Sequence, residues 1–263
     1  MVVAVGYRKA PQHKFPTPMR DCLVASIHFL KTLDVYGVDP ARVVLCGDSA
    51  GGGMAVVVCQ KLMDWSDLPK IRAQLLVYPA LQMVNFQLPS YQQNANVPLL
   101  SWNFAFRSFC YYMDVHPSWE SVVMKGDHLP AEVWEKYRKW LGPENIPERF
   151  KKRGYREVPH VPHNEDAYLE TYHSLDLMNT PLIAEDEVVS RLPEACIVSC
   201  ENDLFRDDAL LYKKRLEDLG VPVTWHHMED SFHGVLNTLG TGYFQFPCSM
   251  RILSAMVHFL KGL

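Results

Sequence analysis

Residues 43–53, VVLCGDSAGGG, form a short apolar run that ends in a serine held between small residues. Gly47, Ser49 and Gly51 match the pattern G-x-S-x-G, which can carry a nucleophile where a strand leads into the turn and a helix leads out. The backbone of such a turn is strained and lies at the carboxyl edge of a sheet, where the hydroxyl can attack a carbonyl carbon. The segment therefore predicts a nucleophilic Ser49.

The small residues around this serine have predicted roles of their own. Gly47 and Gly51 lack the Cβ atoms that would keep the strand and the helix apart. The backbone N–H of Ala50 lies at the start of the following helix, where it would stabilise an oxyanion. A glycine-rich turn can also cradle a phosphate, but no lysine follows to complete a phosphate-binding loop. We therefore favour the nucleophile interpretation.

A nucleophilic serine needs a general base and a carboxylate that orients the base. In chains with this turn, the order along the sequence is serine, then an acid, then histidine. Asp203 follows the predicted strand 195–200, and His233 follows the predicted strand 223–228. Both therefore stand near the carboxyl end of a strand, where the active-site groups of open α/β sheets collect. The sequence predicts a catalytic set of Ser49, Asp203 and His233.

Other acidic and histidine residues near these positions are predicted to be structural. Asp207 and Asp208 open a predicted helix, which favours helix capping and interaction with the helix dipole. His226 and His227 lie inside a predicted strand, where one of them would point into a packed face. The other eight histidines have no comparable context.

The composition is that of an ordinary globular domain and excludes several classes of function. Of the 263 residues, 48% are hydrophobic and 21% are charged, and the net charge of −4 provides no basic surface for nucleic acid. No pair among the seven cysteines has CxxC spacing, so we expect buried thiols, no metal site and no cofactor. No run of about 18 apolar residues predicts a membrane span, and no charged leader opens the chain.

Strand and helix patterns alternate on both sides of a central segment that lacks strand patterns. Before it, we predict a strand at 2–7, a helix within 18–37, a strand at 43–46, a helix at 50–62 and a strand at 73–79. After it, we predict a strand at 195–200, a helix at 207–219, a strand at 223–228 and a helix at 249–260. This alternation predicts an α/β fold with a mostly parallel sheet and helices on both faces.

The central segment, residues 84–180, is rich in proline and aromatic residues and is predicted to be a helical insertion. It includes the aromatic stripe FAFRSFCYYM at 104–113, which can line an acyl pocket, lie against a membrane or form the core of a helix. We therefore predict a single α/β domain over residues 1–263, in which this insertion forms a cap.

Four blocks in a fixed order resemble one family of enzymes. They are GYRKAP at 6–11, YGVDPARVVLCGDSAGG at 36–52, CENDLFRDD at 200–208 and DSFHG at 230–234. Together they resemble the hormone-sensitive-lipase branch of the α/β-hydrolases and, within it, the arylacetamide deacetylase-like proteins. The resemblance covers essentially the whole chain and implies an α/β-hydrolase fold with a helical cap.

The resemblance also implies an activity and a location. It implies a serine hydrolase of carboxylic esters or amides, whose substrates are small apolar lipid, aryl or drug-like compounds. Ser49, Asp203 and His233 fall on the family's nucleophile, acid and base, and residues 84–180 contribute to its cap. It further implies a parent protein held at the membrane of the endoplasmic reticulum, with the catalytic domain on the lumenal side.

The chain departs from this family near its beginning. Family members carry an HGGG motif, on the loop after the third strand, that supplies backbone N–H groups to the oxyanion hole. Residues 1–46 contain no His-Gly-Gly sequence, which leaves the N–H of Ala50 as the predicted donor. We therefore expect the N-terminal strands of the fold to be missing, as in a product begun at an internal methionine. Loss of one such donor lowers the rate about 10²–10³-fold.

Two functions are compatible with these observations. One is an ester or amide hydrolase that acts through Ser49, His233 and Asp203 and forms an acyl-enzyme. The other is a catalytically impaired fragment with a binding or regulatory role, because the oxyanion loop is absent. Ester turnover that depends on the serine would distinguish them.

Overall fold

Four parallel strands form the sheet of the described residues. The computed structural model describes residues 1–158 and 163–263, and the strands lie side by side in chain order. Their bounds are β1 Val44–Asp48, β2 Ala73–Val77, β3 Glu194–Asn202 and β4 Val223–Phe232. Each strand pairs in parallel with the next. All four carboxyl ends therefore lie at one edge of the sheet, where ligands of open α/β folds bind.

Helices flank the sheet and fill the connection between β2 and β3. Those in the described ranges are α1 Thr17–Lys31, α2 Ala50–Leu62, α3 Pro89–Gln93, α4 Trp102–Met113, α5 Glu120–Lys125, α6 Ala131–Leu141, α7 Glu165–Thr171, α8 Asp186–Val189, α9 Arg206–Asp218 and α10 Pro247–Gly262. Within these ranges, no helix has the length and apolar character that crossing a membrane requires.

Alternate side chains of β2 face opposite layers, which divides the core in two. Leu76 lies with Val56 of α2 and Leu210 of α9 on one face. Leu75 lies with Ile252 of α10 on the other face. Every residue of β2 is buried, as expected for a parallel strand that is covered on both sides. The predicted parallel sheet with helices on both faces is confirmed.

The strand predicted at residues 2–7 is absent. Residues 1–9 form neither helix nor strand, and Val2 is 95% exposed. Among the described strands, β1 pairs only with β2. A β pattern becomes a strand only where a neighbour supplies hydrogen bonds. Because no described strand lies beside the opening segment, its apolar pattern alone does not make it a strand.

The other predicted strands and helices are present with shifted ends. Helix α2 has the predicted bounds, whereas β3 extends to Asn202 and β4 to Phe232. These longer strands place Asp203 and His233 immediately after their carboxyl ends. Asp203 and His233 therefore lie directly at the carboxyl edge of the sheet and not several residues into a loop.

Residues 84–180 contain α3 to α7 and, among those described, no strand. Trp102, Phe106 and Phe109 of α4 are buried in the same core as one face of the sheet, whereas Phe104 is 60% exposed. Within the stripe at 104–113, Phe106 and Phe109 therefore form helix core, whereas Phe104 and Tyr111 face solvent. That the segment acts as a cap stays a prediction.

Candidate active site

Ser49 occupies a strained turn between β1 and α2. The strand ends at Asp48 and the helix begins at Ala50, so a single residue makes the turn. Ser49 has φ 56° and ψ −126°, which residues other than glycine rarely adopt. Its N–H donates to the carbonyl of Val77 over 3.0 Å, and its carbonyl accepts the N–H of Ala80 over 3.1 Å. Hydrogen bonds to the neighbouring chain segment therefore maintain the strain, which is typical of functional sites.

Missing Cβ atoms let the chain segments around this turn approach closely. A Cβ on Gly47 would lie 2.1 Å from the carbonyl oxygen of Gly51, and one on Gly53 would lie 2.2 Å from that of Ala80. A Cβ on Gly51 would have nothing within 4 Å. The predicted role of Gly47 therefore agrees with the packing, but the role predicted for Gly51 was wrong. Gly53 has that role instead, because it faces the loop after β2.

We expect Gly53→Ala to destabilise the protein by about 3 kcal/mol, the upper end of the usual range for overpacking. The added methyl group would overlap the carbonyl oxygen of Ala80, which belongs to the backbone and cannot rotate away. Gly51→Ala is the matched control, since its methyl group meets nothing and alanine favours a helix by about 0.5–1 kcal/mol. Denaturant unfolding measures both changes, and equal stabilities would contradict this packing.

Ser49, His233 and Asp203 form one hydrogen-bonded line. His233 Nε2 lies 2.8 Å from Ser49 Oγ, and His233 Nδ1 lies 3.0 Å from each carboxylate oxygen of Asp203. Asp203 is fully buried and His233 nearly so, whereas Ser49 is half-buried. Nδ1–H can therefore donate to the carboxylate while Nε2 accepts the proton of the serine hydroxyl.

Each strand places one side chain at this edge of the sheet. Ser49, Tyr78, Asp203 and His233 are the first residues after β1, β2, β3 and β4. The rings of Tyr78 and Phe205 pack against the His233 imidazole, with centroids 4.7 and 5.2 Å from its own. These contacts, together with the hydrogen bonds at both nitrogens, leave the imidazole little freedom to rotate.

Tyr78 is a residue of this site that the sequence analysis missed. Its side chain is buried, and its Oη lies 3.5 Å from Asp48 Oδ2. Burial and, after it, the charge of Asp48 raise the pKa of the phenol, so the hydroxyl stays protonated. The strand predicted to run to residue 79 concealed Tyr78, because a residue inside a strand does not stand at the sheet edge.

The N-terminus of α2 faces the attacking serine. Ala50 is the first residue of this helix, so its N–H has no partner within the helix. The N–H groups of a helix point toward its N-terminus, where they carry partial positive charge. Ala50 is exposed, and its N–H is therefore the donor that we assign to a carbonyl oxygen bound beside Ser49.

Asp207 and Asp208 do not cap α9, contrary to the sequence prediction. The N-cap position is occupied by Phe205. Asp208 accepts the N–H of Leu81 over 3.0 Å, and Asp207 accepts that of Ser90 over 2.6 Å. Both carboxylates are fully buried. They attach residues 81–90 to the first turn of α9, which begins three residues after Asp203. No local helix signal reveals this contact between distant segments.

Further polar contacts hold residues 201–207, the segment around Asp203, in place. Asn94 is buried at the end of α3, and its Nδ2 donates to the carbonyl oxygens of Asp203 over 2.8 Å and Glu201 over 3.0 Å. The buried guanidinium of Arg206 pairs with Asp207 over 2.8 Å and with Glu201 over 3.2 Å. The position of the Asp203 backbone therefore depends on residues of the insertion.

Burial raises the pKa of Asp208 to about 7. In the unfolded chain the carboxyl ionises near pH 3.9, so the folded state holds this proton over a wider pH range. We therefore expect the stability contributed by Asp208 to be fully present below about pH 4 and to be lost as the pH rises to about 7. Chemical denaturation between about pH 4 and about pH 7 measures how the free energy of unfolding depends on pH.

The variant Asp208→Asn should flatten this slope. Asparagine cannot ionise, and its amide oxygen can keep the bond from Leu81 N–H. Its amide nitrogen cannot accept the hydrogen bonds that Tyr91 Oη and Gln82 Nε2 donate to Asp208 Oδ1, so a uniform loss of stability should accompany the flatter slope. Part of the slope should remain, because burial also raises the pKa of Asp207. An unchanged pH dependence in Asp208→Asn would contradict the assignment.

His227 belongs to a second hydrogen-bonded set, away from Ser49. Its Nδ1 lies 2.9 Å from Ser199 Oγ, and its Nε2 lies 3.1 Å from Glu201 Oε2. Ser199 is fully buried and also accepts a hydrogen bond from Trp225 Nε1. The residue types are those of a triad, but a substrate cannot reach a buried hydroxyl. We assign this set a structural role.

The cysteines offer no competing nucleophile. All seven are free thiols, and six are buried. Burial raises the pKa of Cys22 to about 11 and that of Cys59 to about 12, so these thiols stay protonated and unreactive at neutral pH. Residues 1–158 and 163–263 contain no group of three or more His, Cys, Asp or Glu side chains that could hold a metal ion.

Comparisons with known proteins place this chain in a family. The family described as alpha/beta hydrolase fold matches residues 1–125 and 146–237. Arylacetamide deacetylase-like 3 of Homo sapiens is 68% identical over 263 residues, which is 100% of this chain and 65% of that protein. Arylacetamide deacetylase of Oryctolagus cuniculus is 38% identical, over 92% of this chain and 62% of that protein.

A solved structure, that of a bacterial heroin esterase, has a TM-score of 0.65 and 26% identity over 98% of this chain and 63% of the esterase. The chain thus spans less than two thirds of the length of each of these three proteins. The chain belongs to the α/β-hydrolase fold family and is related to the arylacetamide deacetylase-like proteins.

Proposed function

We propose that this chain is a serine hydrolase that cleaves carboxylic esters or amides through an acyl-enzyme. The observation that carries the proposal is the line from Ser49 Oγ through His233 to the buried carboxylate of Asp203, with contacts of 2.8 and 3.0 Å. The related proteins named as a deacetylase and a heroin esterase support the same class of reaction.

Each side chain has one task in this mechanism. Ser49 Oγ attacks the carbonyl carbon while its proton moves to His233 Nε2, and the Ala50 N–H stabilises the oxyanion. When the tetrahedral intermediate collapses, the C–O or C–N bond breaks and His233 returns the proton to the departing alcohol or amine. Water then attacks the acyl-enzyme with His233 as base, which releases the carboxylic acid and restores Ser49. Asp203 holds the Nδ1–H tautomer throughout.

We propose small apolar esters and amides, of lipid, aryl or drug-like kind, as the substrate class. The aromatic rings of Tyr78 and Phe205 beside the imidazole support an apolar substrate. The net charge of −4 offers no surface for a nucleic acid.

A fluorophosphonate probe tests the proposal, because it reacts only with an activated serine. We expect the folded 263-residue chain to be labelled and mass spectrometry to locate the label on Ser49. A folded chain in which Ser49 stays unlabelled would contradict the proposal.

The second candidate is a catalytically impaired chain with a binding or regulatory role. It is favoured by the position of β1 at the edge of the described sheet and by the single predicted oxyanion donor, Ala50. Ester turnover by the chain that disappears in Ser49→Ala would reject this candidate. Labelling of Ser49 without any turnover would support it.

We also propose that the whole protein is held at the membrane of the endoplasmic reticulum, with these residues on the lumenal side. The support is the resemblance of the four sequence blocks to the arylacetamide deacetylase-like proteins. Trypsin added to sealed microsomes should leave the hydrolase region intact until detergent opens them. Digestion without detergent would contradict this location.

A further inference from the structure

Leu99 has an uncommon backbone conformation in the loop between α3 and α4. Its φ is 64°, and the N–H of Leu100 donates to the carbonyl of Pro98 over 2.8 Å, so Leu99 lies at the centre of a γ-turn. A positive φ is a strained conformation for a bulky side chain. Burial does not offset this strain, since 62% of Leu99 is exposed. The fold therefore holds an apolar side chain toward solvent at a cost in stability.

Hydrogen bonds fix this loop at both ends. Asn94, at its start, donates to the carbonyl of Asp203 over 2.8 Å. At its end, the N–H of Trp102 donates to the carbonyl of Ala95 over 2.8 Å. The loop is therefore anchored to the segment that carries the catalytic acid, and the position of Leu99 follows from these anchors.

The side chain of Leu99 reaches the segment that carries the catalytic base. Its Cδ1 lies 3.6 Å from the position that a Cβ of residue 234 would occupy, and Gly234 directly follows His233. Leu99, which belongs to the insertion at 84–180, thus lies against the segment that follows β4 and contains His233 and Gly234. An exposed apolar side chain therefore lies against the residue that directly follows His233.

The position of Leu99 determines which part of a substrate it can contact, and that part is the leaving group. His233 must deliver its proton to the departing alcohol or amine, so the leaving group lies on the imidazole side of the reacting carbon. We infer that Leu99 is a specificity-determining residue that forms an apolar wall against the leaving group. This inference rests on the proposed function and makes it more specific: the preferred substrates carry an apolar alcohol or amine portion.

Two series of phosphonate esters test this inference through covalent labelling of Ser49. In one series the phosphonyl group stays constant and the leaving alcohol grows from small and polar to large and apolar. In the other series p-nitrophenol is always the leaving group and the alkyl group on phosphorus grows. Ser49 Oγ displaces the alcohol from phosphorus, and the serine proton leaves through His233, so the rates report on leaving-group contacts even without turnover of esters.

We expect Leu99→Ala to lower the labelling rate for the largest apolar leaving group, relative to the smallest, by about 10-fold. The ratio across the phosphonyl series should change less than about twofold. Leu169→Ala is the matched control, because this leucine also belongs to the insertion, in α7, and is 58% exposed. It should change neither ratio.

A separate measurement tests the strain. Leu99→Gly should lose the same selectivity as Leu99→Ala yet have a higher Tm than the native chain, because glycine adopts a positive φ without strain. A lower Tm for Leu99→Gly would contradict the strained turn.

The outcomes separate the inference from the function on which it rests. If Ser49 reacts with the reagents but Leu99→Ala alters both series equally, or alters neither, the leaving-group assignment is wrong while the hydrolase proposal stands. If no reagent labels Ser49 in the folded chain, both fail.

Discussion

Ser49→Ala should lower ester turnover by a factor on the order of 10⁴ or more and abolish labelling by fluorophosphonates. The hydroxyl that lies 2.8 Å from His233 Nε2 is the atom that becomes acylated, and the methyl group of alanine cannot replace it. The substitution removes one half-buried oxygen, so the free energy of unfolding should change little. Steady-state kinetics with an aryl acetate, at equal concentrations of folded protein, measures the loss.

Ser199→Ala is the matched control for this experiment. Ser199 also lies within hydrogen-bond distance of a histidine, His227, and near a carboxylate, but it is fully buried. We expect its turnover and labelling to stay within about 10-fold of the native chain, with lower stability because Trp225 Nε1 loses its acceptor. Turnover that survives in Ser49→Ala and disappears in Ser199→Ala would reverse the assignment of the nucleophile.

Asp203→Asn should lower kcat by about 10⁴ while the protein stays folded. An asparagine side chain can still accept the Phe205 N–H that Asp203 accepts over 2.9 Å. Its amide nitrogen, however, would donate to His233 Nδ1 and so force the proton onto Nε2. The imidazole in that tautomer cannot take the proton of Ser49, although all the atoms keep their places. Kinetics together with thermal unfolding separates this loss of activity from a loss of structure.

Glu201→Gln provides the comparison for the acid. Glu201 stands two residues earlier, near the same edge, but its carboxylate bonds to His227 and pairs with Arg206. We expect kcat to fall less than about 10-fold and stability to decrease, because the buried Arg206 loses one partner. A loss of kcat as large as that in Asp203→Asn would show that the acid was assigned to the wrong carboxylate.

The predicted site residues could be read from the sequence because their signals are local. The turn around Ser49 needs glycine before it and a helix after it, and both lie within a few residues. Asp203 and His233 each follow a short apolar run that could be recognised as a strand. Parallel strands bring their carboxyl ends to one edge, so residues separated by 184 positions, as Ser49 and His233 are, can be predicted to meet.

Other features depended on contacts between distant segments. The capping role predicted for Asp207 and Asp208 was wrong, because their partners Ser90 and Leu81 are more than a hundred residues away and no helix signal points to them. The prediction of an opening strand was wrong for a related reason. A strand requires hydrogen bonds from a neighbouring strand, and the residues of the opening segment cannot show whether such a neighbour exists. Tyr78 was missed because the end of β2 was placed too late.

The sequence by itself indicated the parallel α/β arrangement, the candidate residues Ser49, Asp203 and His233, and their order along the chain. Periodicity and turn preferences act over a few residues, and they leave a readable pattern. The tertiary structure alone decided which glycine permits close packing, how Asn94 fixes the segment around Asp203, and that Leu99 reaches the residue after His233. These depend on distances between segments, which become defined only when the buried hydrogen bonds and the core form together.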